Sequence, residues 1–516
     1  MTSRAKNSSR NVLWGISEKL VSIIFPFIIR SLMIYFMGVE YVGLGGFFIS
    51  IIQVLSLAEL GIGSAFVFSM YKPFSESNFE KIGALLYIYK RLYIKIGCVI
   101  VFVGLCILPF LKIFISGSVE ADVNIYILYL MFLLNNAISY FMFSYKQSLL
   151  IASQRVDLLN KIALCSKLIL YIFQIVVLIA FHNYYIYVAA IPLSTLLTNF
   201  LISIVTRKLY SNIECKGEVD QIEINSIKIN VKGMVLQRIG GIVLSSSSSL
   251  VISSFLGLVV LAKFQNYYYV ISALFSLLAV IYQSVIPSIG NYVATKTVEE
   301  NYTKFKIFNI LHIWIVSISL CCLLCLFQPF IRLWVGEECL LPDNFVFLIA
   351  IYFYCHKFCG ILYIYQESCG IWWKTRFVPL ISSIVNLSLS LVLVQFLNIY
   401  SVLIATIISV LFVNIPGYSK VLFTTYFKDI KKAQLNFYKT QFVLSLASVS
   451  AAITSYYLCS IVKFESNLVQ MCFNFFVSIV IGNTVLLFFY INIKDFKNTF
   501  YFIKSYCDYS EPPKRF

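Results

Sequence analysis

Apolar stretches long enough to cross a bilayer recur along this chain, separated by short polar segments. A spanning helix needs roughly 20 apolar residues. On that measure the pattern predicts fourteen helices, over roughly 12–37, 43–70, 92–115, 124–150, 162–181, 185–205, 233–257, 265–290, 307–331, 344–366, 378–397, 401–423, 440–462 and 468–491. The fifth and sixth, like the eleventh and twelfth, form tight hairpins whose turns, His182-Asn183-Tyr184 and Asn398-Ile399-Tyr400, carry no acidic or strongly basic residue. The longest polar interruption is Thr206 to Lys232. Arg207, Lys208, Glu214, Lys216, Glu218, Asp220, Glu223 and Lys228 cannot sit in hydrocarbon, so this segment is a linker between two six-helix halves. The expected fold class is therefore an all-α polytopic membrane protein with about 14 transmembrane helices, arranged as two six-helix lobes plus a C-terminal helix pair. The expected division is 1–215 for the N-terminal lobe, 216–428 for the C-terminal lobe, and 429–516 for helices 13 and 14 with a tail.

Charge adds an orientation. Of the 40 Lys and Arg, 28 fall in one alternating set of loops plus the termini, 3 in the other set and 9 inside the spans or at their ends. Basic loops resist translocation, so both termini and the linker are expected in the cytoplasm, with the protein in an inner membrane. The net charge of +17 is then a topology signal and not a nucleic-acid footprint. A hydrophobic share of 60% with only 12% charged residues excludes a soluble domain. Tyr184, Tyr185, Tyr187, Tyr456 and Tyr457 fall at predicted helix ends, where amphipathic rings favour the interface. The run Val12 to Met37 is too long for the apolar core of a signal peptide and reads as a retained first helix. The 14 cysteines scatter through apolar helices. Cys322 and Cys325, after Cys321, lack a second ligand pair and read as packing, as do Cys355 and Cys359. No metal and no cofactor is expected.

A shift of 219 residues lays Asn11 on Asn230, Lys19 on Arg238 and Gly38 on Gly257 without a gap. Six helices and a cytoplasmic linker return the second half in the same orientation, so a parallel repeat is expected, as recurs in secondary transporters. The outward loops are short, which argues against an enzyme with an external catalytic domain.

Charges within the spans carry the candidate chemistry. A charge at mid-membrane costs at least about 2.5–3.5 kcal/mol on insertion scales and normally faces a cavity or a partner. Such residues are Glu18, Lys19 and Arg30 in helix 1, Glu59 in helix 2, Arg238 in helix 7 and Lys357 in helix 10. Pro26 and Arg30 each fall within about 20° of Lys19 on a helical wheel, with the cations about 16 Å apart. Pro26 removes a backbone bond from the same face. Cations so placed suit a diphosphate, to which Arg offers a bidentate fork and Lys a point charge; Lys19, Arg30, Arg238 and Lys357 are the candidate headgroup ligands. Lys19 and Arg238, near the cytoplasmic ends, have snorkelling to the interface as their alternative. Glu59 is open between pairing with helix 1 and acting as a protonatable coupling site, and Glu18 between neutralising a helix-7 cation and coupling. His312 reads as packing, and Ser245 to Ser249 as close helix contact before cavity lining.

Gly43-Leu44-Gly45-Gly46-Phe47-Phe48, Leu57-Ala58-Glu59-Leu60-Gly61-Ile62-Gly63-Ser64-Ala65 and Met70-Tyr71-Lys72-Pro73 resemble the start of bacterial polysaccharide-export flippases. These are the Wzx-type members of the multidrug/oligosaccharidyl-lipid/polysaccharide exporter superfamily. Ile286-Pro287-Ser288-Ile289-Gly290-Asn291 is similar to a second marker of that family. The resemblance implies two six-helix lobes, alternating access and an undecaprenyl-diphosphate-linked oligosaccharide as cargo. It further implies membrane lipid as surroundings, and a polysaccharide polymerase and chain-length regulator as partners. Fourteen helices with helix-1 cations also resemble the lipid II flippases in kind. Two alternatives remain: a multidrug or small-molecule cation antiporter of the same superfamily, which wants an acidic cavity, and a membrane polymerase or ligase.

The basic-loop asymmetry makes a topological prediction. Reporter fusions placed after Thr206 and at Phe516 should both behave as cytoplasmic. An external signal at either site contradicts the fourteen-helix arrangement.

Overall fold

The computed structural model describes residues 2–56, 62–116, 123–219, 221–358, 360–491, 496 and 499. Glu59 and most of the Leu57 to Ala65 motif lie outside them. Among the described residues there is no strand, and twelve helices are long and apolar enough to cross a membrane. A bent pair raises the number to thirteen. The protein is an all-α polytopic membrane protein.

Helix α1 (Thr2–Phe36) leads to α2 (Val39–Leu55) and α3 (Ile62–Ser75), which share the region of the expected second span. Then come α4 (Phe79–Ile107), the bent pair containing α5 (Ile125–Phe141) and α6 (Gln147–Ala152), α7 (Val156–Ala180) and α8 (Tyr184–Leu209). The second half opens with α9 (Gln221–Leu256), α10 (Leu258–Thr295) and α11 (Val298–Val335), followed by α12 (Asp343–Lys357) and α13 (Gly360–Cys369). After the short α14 (Trp372–Thr375) follow α15 (Val378–Leu397), α16 (Tyr400–Ser409), α17 (Ile415–Thr425), α18 (Ala433–Ile461) and α19 (Asn467–Tyr490).

Several helices outrun the apolar stretch that announced them, because a helix stops where its backbone is capped and not where hydrocarbon ends. The Asn78 side chain accepts from the Lys81 N–H at 3.0 Å and starts α4 well ahead of the expected residue 92. Thr297 and Glu300 form a reciprocal capping box that starts α11 ahead of 307. Breaks have equally local causes. The bent pair turns by 50° where Phe143 adopts a left-handed backbone, φ 58°. A π-helical turn, Val410–Asn414, joins α16 to α17 just before Pro416, as expected where a proline removes an N–H from the ladder.

Contacts divide the chain into two units, Met1–Gln265 and Asn266–Phe516. In the first, α1 packs along α7, α7 and α5 pack on α8, and α2 packs on α9. In the second, α11 is the hub for α12, α18 and α19, while α15 pairs with α16. Phe305 gathers Tyr365, Phe423, Phe427 and Phe437 around it at ring distances of 5.1, 5.8, 5.4 and 5.7 Å.

The two glycines matched by the 219-residue shift occupy the same backbone role. Gly38 (φ 109°) separates α1 from α2 and Gly257 (φ 86°) separates α9 from α10. Both angles lie in the region that favours glycine. A third glycine does a different job: a Cβ built on Gly43 would fall 2.2 Å from the Leu258 carbonyl oxygen, so α2 meets the start of α10 backbone to backbone. Gly43→Ala should therefore cost roughly 1–3 kcal/mol by overpacking, read as a lowered melting temperature of the detergent-solubilised protein. An unchanged melting temperature would mean that the two backbones separate freely.

Candidate functional site

The seam between α1 and α7 is a ladder of polar and aromatic rungs. At its start Arg10 pairs with Asp157, whose other oxygen accepts from Arg155 Nε at 3.1 Å. Next, the Lys161 ammonium lies 4.6 Å from the Trp14 ring, and Gly15 admits Asn160. Deeper, Lys167 Nζ meets Glu18 Oε1 at 2.5 Å and donates to Ser22 Oγ at 2.9 Å, while Ser22 donates back to Glu18 at 2.8 Å. Phe25 then stacks on Tyr171 at 5.5 Å. The rungs ascend together along both helices, so α1 and α7 run parallel. In lipid no hydrophobic force drives helix against helix, and such polar contacts and close packing set the pairing.

The candidate residues fall out as follows. Glu18 is committed to Lys167, a cation on α7. The charges that the sequence pattern singles out do not include Lys167, which stands in the fifth expected span and not in the seventh, where the pattern offers a cation for Glu18. No signal on α7 alone marks this pair, since its members are 149 positions apart; only the presence of a lysine inside the 162–181 span hints at a buried acid elsewhere. Lys19, beside Glu18, is exposed. Arg30 is half-buried, and its guanidinium donates to the Gln265 side-chain oxygen at 3.2 Å and to the Gln265 carbonyl at 3.4 Å. A Cβ on Gly46 would collide with that same glutamine, so the glycine of α2 makes room for the residue that orients Arg30. The Arg238 side chain, like Glu59, lies outside the described residues.

Lys357 ends α12 in the second unit. Its ammonium lies 4.1 Å from the centre of the Phe275 ring and 5.7 Å from that of Tyr282, a cation held by ring quadrupoles. His312 is not an isolated packing residue: its Nε2 contacts the Lys357 carbonyl at 2.6 Å and its Nδ1 the Tyr282 hydroxyl at 3.2 Å. Gly360 is required beneath it, since a Cβ there would fall 2.5 Å from the imidazole. His312 thus ties α10 and α11 to the point where α12 ends.

Among the described residues, no group of three or more His, Cys, Asp or Glu could hold a metal ion. Cys322 lies 3.4 Å from the Ser478 hydroxyl, and the Cys325 carbonyl accepts from Asn474 at 2.9 Å. In the serine run of α9, Ser246 is buried and donates to Gln53 of α2 at 3.0 Å.

The fold is shared with solved lipid-flippase and multidrug-transporter structures. The protein is similar in structure to the lipid II flippase MurJ in an inward closed conformation, with a TM-score of 0.62 and 19% identity over 93% of this chain and 98% of that one. It is similar also to an inward-facing MATE-family multidrug resistance transporter of the MOP superfamily, at TM-score 0.59 and 12% identity over 79% of this chain and 93% of that one. A third similarity is to a point mutant of the Vibrio cholerae MATE transporter VcmN, at TM-score 0.55 and 15% identity, covering 83% of this chain and 100% of that one. No protein-family model and no curated protein matches the sequence.

The α1–α7 seam predicts a coupled pair. Glu18→Met and Lys167→Met should each lower the folded abundance, whereas the two combined should recover most of it. Such cycles report interaction energies of about 0.5–3 kcal/mol between contacting residues, because removing one member leaves the other charge uncompensated. Additive losses measured by fluorescence-detected size exclusion would show that the pair carries no such role.

Proposed function

We propose that this protein flips polyprenyl-diphosphate-linked oligosaccharide repeat units across the bacterial inner membrane for capsule or O-antigen polysaccharide biosynthesis. The observation that carries the reading is Arg30, a guanidinium inside α1 aimed by the Gln265 amide, in a chain that has the fold of a lipid II flippase over nearly its whole length. A guanidinium presents phosphate oxygens with both charge and a planar fork of donors.

In this reading the termini and the 206–232 linker are cytoplasmic. The lobes are 1–215 and 216–428, with 429–516 as the appended pair and tail, and the halves form a parallel repeat. Lys19, Arg30, Arg238 and Lys357 receive the diphosphate, polar side chains solvate the sugars and the polyprenyl chain stays in lipid. No bond is made or broken, so the protein is a transporter and not an enzyme. A polymerase and a chain-length regulator act on the exported unit. Glu59 is a candidate coupling group. Glu18 is already neutralised by Lys167, which disfavours the multidrug cation antiporter, since an organic cation needs an available carboxylate.

Deleting the gene should cause a lipid-linked glycan to accumulate on the cytoplasmic leaflet, and finding no such intermediate would overturn the proposal. Within the protein, Arg30→Ala should abolish surface glycan at near-normal membrane abundance. Arg30→Lys should retain part, since charge survives without the bidentate fork. Normal export by Arg30→Ala would reduce this arginine to a packing role.

A further inference from the structure

A cavity of about 720 Å³ opens where α3 and α8 end and α4 and α7 begin. Its size is that of a small-molecule site. Tyr71, Phe74, Phe79 and Tyr210 supply aromatic faces, and Ser77, Ser153, Gln154 and Asn212 supply hydroxyls and amides. None of its eleven described lining residues is charged. That is unexpected on this side of the chain, where the loops hold most of the Lys and Arg. Lys72, Arg155 and Lys208 each adjoin a lining residue in sequence, yet none of them lines the cavity. Lys72 faces Glu76 at 3.8 Å, and Arg155 is engaged by Asp157.

The walls are fixed. The Tyr210 hydroxyl donates to Ser153 at 2.6 Å, and the Phe74 and Tyr210 rings meet edge to face at 5.9 Å. Ser77 (φ 54°) and Gln154 (φ 60°) hold left-handed backbones at two of the lining turns, a cost that folds retain where the position matters. The segment carrying Asn212 and Ile213 is clamped to α4, because Gly83 lets the Glu214 carbonyl oxygen come within 2.1 Å of where a Cβ would stand.

The lining selects among ligand classes. A phosphate or carboxylate would call for the cations that the cavity leaves out. An acyl chain would gain nothing from the hydroxyls and amides that share the lining with the aromatic rings. A neutral polyhydroxylated ring meets both halves: its hydroxyls exchange hydrogen bonds with Ser and Asn or Gln groups, and its C–H faces lie against the electron-rich faces of aromatic rings. We propose that this cavity is a carbohydrate subsite that takes the glycan of the cargo on the cytoplasmic side. The proposal rests on the flippase reading above and adds to it a place for the sugar, apart from the cations that receive the diphosphate.

The test is a photo-crosslink in the full chain in its own membranes, with p-benzoyl-phenylalanine at Tyr71 and, as control, at Phe102, an exposed position farther along α4. The Tyr71 adduct should carry periodate-oxidisable sugar that stays on the protein after mild acid has cleaved the polyprenyl diphosphate, and the Phe102 adduct should not. Phe79→Ala should cut the sugar-bearing adduct roughly tenfold, and Phe79→Trp should restore it by keeping a ring face. Adducts at Tyr71 that hold only phospholipid or protein overturn the inference, as does a yield indifferent to Phe79→Ala. Accumulation of lipid-linked glycan in the deletion strain is scored separately: if it occurs and the Tyr71 adduct lacks sugar, the subsite fails while the flippase reading stands.

Discussion

The first unit depends on a charge problem solved between two helices. Glu18 and Lys167 each stand inside a stretch that must sit in or against lipid, where either charge alone is costly. Placed 2.5 Å apart and joined by Ser22, they can only be tolerated together, and that fixes both the neighbour and the register of α1 against α7. The Arg10–Asp157 pair, the Lys161–Trp14 contact and the Phe25–Tyr171 stack extend the same register along the seam. Because α1 also carries Arg30, the ion pair sets where that guanidinium stands. Gln265 then aims it, and Gly46 leaves room for Gln265.

The second unit handles its intramembrane cation by different chemistry. Lys357 rests on the faces of Phe275 and Tyr282, while its backbone carbonyl is held by His312. Ring quadrupoles stabilise an ammonium without cancelling its charge. Arg30 and Lys357 are thus both cations placed by uncharged groups, the one by an amide and the other by aromatic rings.

Much of the fold was legible in the sequence because membrane insertion is governed by hydropathy, which is local. Each expected span coincides with a helix or a broken pair of helices, and Gly38 and Gly257, matched by a simple shift, turn out to break the chain in the same way. Helix ends were less legible: the caps at Asn78 and Thr297 carry α4 and α11 past the apolar stretch. The site was the least legible part. Glu18 was visible as a misplaced charge, but its partner Lys167 is remote in sequence and was not singled out. His312 reads as packing until Tyr282 and the Lys357 carbonyl are brought to its two nitrogens. The uncharged cavity at Tyr71 and Tyr210 left no pattern, because it is assembled from four loop and helix ends whose residues are individually ordinary.

The most direct measurement is flipping by the purified protein. Lipid-linked oligosaccharide extracted from the deletion strain would be reconstituted with the protein into vesicles, and the fraction of glycan open to external periodate followed with time. The account predicts that wild-type protein exchanges the glycan between leaflets while Arg30→Ala vesicles behave like protein-free ones. Exchange at the same rate with and without protein, or undiminished by Arg30→Ala, would contradict it.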